Sequence, residues 1–125
     1  MDKLTAYAPT VARLFIAALF LMAGTGKLAD VAGFTGFLTS GGLPAFLAWP
    51  TIIFEIALGL SMVLGFQARL MALAGAGFCV LSALLYHFQP ADQMQMTMFL
   101  KNFAIAGGFL MIFAHGAGKL AIDKA

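Results

Sequence analysis

Three ionisable side chains stand inside apolar runs of this sequence: Arg13 before LFIAALFLMAG, Glu55 within TIIFEIALGL, and Lys101 within MTMFLKNFAIAGGFLMIF, where the amide Asn102 follows it. Inserting a lysine or an acidic residue near the centre of a membrane helix costs on the order of 2.5–3.5 kcal/mol, so such groups face partners or water inside the protein. Counting roughly 1.5 Å per helical residue puts Glu55 near mid-depth, Arg13 about 7 Å to one side and Lys101 about 6 Å to the other. The expectation is a charged seam in which one carboxylate compensates two cations. A seam of that kind can bind carbonyl oxygens and exchange a proton, or it can fix helix register without binding anything. Both readings are open at this stage, because Arg13 and Lys101 are also close enough to helix ends to snorkel. Lys27 and Arg69 read as interfacial anchors and form a secondary set.

Other chemistries find little support. Cys79 is a single cysteine, which gives no disulfide framework and no CxxC pair. His87 and His115 fall at opposite ends of their runs, so they cannot share a metal or haem, and no metal site is expected. Gly24-Thr-Gly-Lys27 looks like a fragment of a phosphate loop but lacks the upstream glycine and the preceding strand. A net charge of +2 with scattered basic residues argues against nucleic-acid binding.

The elements that must carry these residues follow from composition. The 125 residues are 62% hydrophobic and 10% charged, against about 25% charged in soluble domains. Lipid must therefore be the solvent. The spacing predicts an all-α membrane protein: one domain over 1–125, folded as an antiparallel bundle of four transmembrane helices. The spans run over about 8–27, 46–65, 69–88 and 96–114. The first resembles a signal peptide, but three further apolar runs make it a membrane helix. Between the first two, Phe34, Phe37 and Leu38 share one face of a short interfacial helix that Gly41-Gly42 and Pro44 end.

Each span carries a stripe of small and polar residues at i, i+3/4 spacing, which marks the bundle interior. The stripes are Arg13, Ala17, Phe20, Gly24 and Lys27; Glu55, Gly59 and Met62; Arg69, Ala72, Gly75, Cys79, Ser82 and Tyr86; and Lys101, Gly108 and His115. Four spans place both termini on one side with Lys3, Arg13, Arg69, Lys119 and Lys124, opposite Lys27 and Lys101. That excess of basic residues puts the termini in the cytoplasm. A weak echo, G-x-G-K-L-A at Gly24 and again at Gly116, suggests no firm repeat.

Arg13 with AALFLMAGTGKLAD, then GGLP, then EIALGLSMVLGFQAR, then FLKNFAIAGGFLMIFAHGAG together resemble the DoxX family, from about Ala12 to Asp123. The family's polar positions fall on Arg13, Gly24, Lys27, Glu55, Arg69, Lys101 and Asn102. The resemblance implies a four-helix inner-membrane protein tied to quinol-oxidising or other oxidoreductase systems. Since the residues supply no cofactor ligand set, the expected role is an accessory subunit near a redox partner, binding a quinone or another lipophilic molecule. The alternatives are a small oligomeric transporter or channel that uses the charged seam, and a membrane scaffold for partner proteins.

Overall fold

The computed structural model describes residues 2–123; Lys124, counted above on the terminal side, lies outside them. The helices are α1 (Asp2–Ala29), α2 (Val31–Ser40), α3 (Ala48–Leu64), α4 (Ala68–Ser82) and α5 (Gln93–His115). Among the described residues there is no strand. Four helical segments are long and apolar enough to cross a membrane: Asp2–Ala29, Ala45–Leu64, Ala68–His87 and Gln93–His115.

Local chemistry sets most boundaries. α1 starts six residues before the predicted span, so Pro9 lies within it rather than at its first turn. Asp2 in that first turn suits the positive end of the helix dipole. Asp30 caps α2, its carboxylate accepting from Gly33 N at 3.0 Å. The Gly41-Gly42 pair ends α2, with Gly42 at φ +88°. A 3₁₀ turn, Ala45–Leu47, leads into α3, and Pro50 sits in the first turn of α3, where it displaces no hydrogen bond. Gly65 closes α3 in the left-handed conformation, φ +65°. α4 then widens into a π-helical turn, Ala83–His87. Asp92 caps α5 through Met94 N and Gln95 N.

The chain runs up and down four times, with α1 lying along α3 and α4 along α5. Glycines permit the first pairing. A Cβ on Gly24 would fall 2.6 Å from Ile56 Cγ1, and one on Gly59 would fall 2.7 Å from Leu21 Cδ2. Only bare backbone fits at those two crossings. Phe20, Leu58, Met62 and Phe109 fill the middle, with the Phe20 and Phe109 rings 5.5 Å apart. Phe15, Met22, Ile53, Leu70, Leu100 and Met111 point outward and exposed, as a lipid-facing surface requires.

The predicted inner faces hold for most of the bundle. Arg13, Ala17, Phe20 and Gly24 are all buried, as are Glu55, Gly59 and Met62, and Ala72, Gly75 and Cys79. α5 differs. Its buried residues are Ala106, Phe109 and Ile112, while Lys101 and His115 are exposed. The polar residues of α5 sit toward its ends, where long side chains reach the polar boundary outside the bundle. Its inner face is the apolar one.

Candidate functional site

The two buried charges of the predicted seam do not meet. Gly24 packs at the level of Glu55 and Ile56, and eleven residues of α1 separate it from Arg13, which is about 16 Å along the axis. The seam of Arg13, Glu55 and Lys101 is therefore three separate positions. Setting the middles of the first two spans side by side misplaces them, because Gly24 meets Ile56 and Leu21 meets Gly59, which puts Glu55 level with the C-terminal part of α1.

Arg13 is fully buried at the end of the bundle that carries the termini. Its Nε donates to Ala117 O at 2.8 Å, Nη1 to Met62 O at 2.6 Å and Val63 O at 3.2 Å, and Nη2 to Lys119 O at 2.9 Å and Leu120 O at 3.1 Å. Five donor contacts match the five N–H groups of a guanidinium. Two of the acceptors belong to the last turn of α3, where carbonyl dipoles carry partial negative charge. The other three come from the irregular tail after α5, bent by positive φ at Gly116, Gly118 and Leu120. The same tail takes a hydrogen bond from Thr10 Oγ1 through Lys119 O, and Ile122 N reaches Leu64 O at 2.9 Å. Asp123 finishes the knot by accepting from Gln67 N and Ala68 N at 2.8 and 2.7 Å, capping α4 from a distant part of the chain. Arg69 is exposed beside this knot, close to Gly116. The later G-x-G-K-L-A segment thus forms an irregular tail where the earlier one is helix, and the echo is not a structural repeat.

Glu55 belongs to the opposite end, and its partner is Lys27. The ammonium lies 2.9 Å from Oε1 and 3.3 Å from Oε2. Oε1 is buried, and apart from this ammonium neither carboxylate oxygen has a hydrogen-bond partner among the described residues. Lys27 also sits over the Phe34 ring of α2, 5.2 Å from its centroid. One ammonium therefore ties α1 to both α3 and α2.

The pair stands on the wall of a cavity of about 460 Å³, a size typical of small-molecule sites. The walls are mostly apolar, with Phe20, Phe34, Phe78 and Leu85 among them. Polar groups reach it from both helix pairs: Lys27, Glu55 and Thr51 on one side, Asn102, Ser82 and His87 on the other. Asn102 is drawn inward by its amide, which donates to Cys79 O at 3.3 Å and Ser82 Oγ at 3.2 Å. Its neighbour Lys101, turned by one residue, does not line the cavity.

α2 roofs this space. Tyr86 donates to Leu38 O at 2.9 Å and stacks on Phe37 with centroids 4.8 Å apart. Gly41 leaves room for the same ring, since any Cβ there would overlap it. The π-helical turn of Ala83–His87 is what brings Tyr86 and His87 to the cavity together; such widened turns recur at functional sites. His87 Nδ1 is in turn held by Gln95 Oε1 at 2.8 Å. The sequence places Tyr86 on the inner stripe of its span and α2 at the interface, without showing that they meet over a site. The shared face of Phe34, Phe37 and Leu38 was the available signal. Among the described residues no three His, Cys, Asp or Glu side chains cluster as a metal site.

These features define an integral membrane protein with a half-buried ion pair beside a mostly apolar cavity. The DoxX family model matches residues 8–88, and the chain belongs to that family. It is 38% identical over 124 residues to inner membrane protein YqjF of Escherichia coli (strain K12), covering 99% of this chain and 95% of that one. It is also 26% identical over 121 residues to inner membrane protein YphA of the same organism, covering 91% and 86%. The chain is accordingly a multi-pass inner-membrane protein of the DoxX family. No solved structure matches it.

Proposed function

We propose that this protein binds a lipophilic ring compound of the quinone type in the cavity beside Lys27 and Glu55, as an accessory subunit of a membrane redox system. The observation that carries the reading is the position of the Lys27–Glu55 pair. A structural ion pair is best used where all its hydrogen bonds can be closed within the protein. Here Glu55 is 3% exposed, its carboxylate meets one ammonium and no other donor among the described residues, and it borders about 460 Å³ of mostly apolar space. Beneath the cavity Phe20, Leu58, Met62 and Phe109 pack tightly, which favours a closed binding pocket over a permeation path through the bundle. The redox centre would sit in a partner protein, and the pocket would present or store the ring compound. We place both termini in the cytoplasm, with the cavity toward the outer leaflet, on the strength of Lys3, Arg69 and Lys119 at the terminal end.

The test is thermal unfolding of the purified protein in nanodiscs with short-chain benzoquinones and naphthoquinones, each in its oxidised and reduced form. At a free concentration 100-fold above Kd, a bound ligand adds about 2.7 kcal/mol of stability. The expected result is a rise in midpoint with at least one member of the set, abolished by Ala23→Trp, which fills the cavity from α1. No rise with any member in either oxidation state would sink the reading.

A further inference from the structure

The lining of the cavity is uneven in a way that bears on ligand choice. Its hydrogen-bond donors are already committed within the protein. The Lys27 ammonium contacts both oxygens of Glu55 and the Phe34 ring. Both bonds of the Asn102 amide nitrogen go to Cys79 O and Ser82 Oγ. The Ser82 hydroxyl gives its proton to the backbone, 2.9 Å from Phe78 O and 3.2 Å from Cys79 O. The Tyr86 hydroxyl donates to Leu38 O. His87 Nδ1 is engaged with the side-chain amide oxygen of Gln95, 2.8 Å away. Among the described residues, the lining side-chain donors with no partner are the Thr51 hydroxyl, which can accept as well, and the weakly donating Cys79 thiol.

Acceptors, by contrast, are left over. The Glu55 carboxylate is the clearest, because it is buried, Glu55 lines the cavity, and two oxygens able to accept about four hydrogen bonds receive only the Lys27 ammonium. The unused lone pairs of a carboxylate in such a place gain most from a ligand O–H or N–H, since charge-assisted hydrogen bonds are about twice as strong as neutral ones. The net charge of the pair adds a second constraint. Lys27 and Glu55 cancel, so an anion such as a fatty acid, or a cationic amine, would enter an apolar space as an uncompensated charge.

We infer that the cavity selects neutral lipophiles that carry an O–H or N–H donor, holds that donor on the Glu55 carboxylate, and discriminates against molecules of the same shape whose oxygens only accept. This deepens the proposed function and rests on it. Applied to any redox pair of ring compounds, the hydroxyl-bearing reduced member is the better ligand. A carbonyl-only ring finds few free donors and leaves the spare lone pairs of Glu55 unused, which is the more costly mismatch.

The experiment is titration calorimetry of the full chain in nanodiscs with 2-naphthol, 2-methylnaphthalene and 1,4-naphthoquinone, each corrected for partition into the lipid. The methyl compound matches the naphthol in size and removes only the donor. The expected result is 2-naphthol binding about tenfold or more tighter than either of the others, the ratio that one buried hydrogen bond commonly supplies. In Glu55→Gln the preference should fall below about threefold, because the charged acceptor is gone and Lys27 is freed to donate to a carbonyl. The ligand series on the unaltered protein decides the matter even if that variant does not fold. Equal affinity for all three, or tighter binding of 1,4-naphthoquinone, overturns this inference and leaves the cavity as a binding site. Binding of none overturns both.

Discussion

The two ends of the bundle each bury a charge, and they treat it in opposite ways. At the terminal end Arg13 is enclosed by five carbonyl contacts drawn from α3 and the tail. At the cavity end Glu55 has one cation, no other donor among the described residues and a mostly apolar cavity beside it. A charge whose every hydrogen bond is closed by backbone has nothing left to offer a ligand, and its role is to hold the tail to the helices. A charge left partly open beside a cavity still has something to bind. Burial alone does not separate the two cases, since both are nearly inaccessible; completeness of the hydrogen bonding does.

Three substitutions probe that contrast. The largest effect belongs to Arg13→Leu, which strips the partner from five carbonyls and frees the tail. It should destabilise the protein by about 3–5 kcal/mol in denaturant unfolding from mixed micelles. A loss below about 1 kcal/mol would mean that the knot is incidental. Next comes Lys27→Met, which leaves Glu55 buried with no cation and should cost about 2–3 kcal/mol; the double variant Lys27→Met with Glu55→Leu should recover most of that loss while binding no ring compound. Recovery of stability together with full ligand binding would show that the pair is structural and the contrast mistaken. The smallest effect is that of Lys101→Ala. Because Lys101 is exposed and lines no cavity, the unfolding midpoint and ligand affinity should both stay within experimental scatter.

Much of this architecture could be read from residue order. Four long apolar runs dictate four spans, and the stripe Arg13, Ala17, Phe20, Gly24 lies on one face of α1 because helical periodicity allows no other arrangement. What could not be read was which residues share a level. That depends on how far α1 slides along α3, and the register is set by Gly24 meeting Ile56 and Gly59 meeting Leu21, contacts between residues more than thirty positions apart. Lys101 misled for a different reason. An ionisable residue in an apolar helix demands a polar environment, and in α5 the outer boundary supplies one as well as an interior partner would. Asn102, one residue on, has a short side chain that cannot reach that boundary, and it is the residue that turns inward.

The knot at the terminal end has a consequence for biosynthesis. Arg13 lies on α1, which is synthesised before α2 to α5, while Ala117 O lies 104 residues further along. Throughout synthesis of α3, α4 and α5 the guanidinium must stay near the polar boundary, where an arginine is tolerated. Only when residues 117–123 emerge does it gain the last three of its five acceptors and does Asp123 reach Gln67 and Ala68. Completion of the bundle therefore waits on translation of the tail. A chain stopped before Ala117 would carry an unsatisfied arginine into the membrane, a mark by which a membrane protease could tell unfinished copies from finished ones.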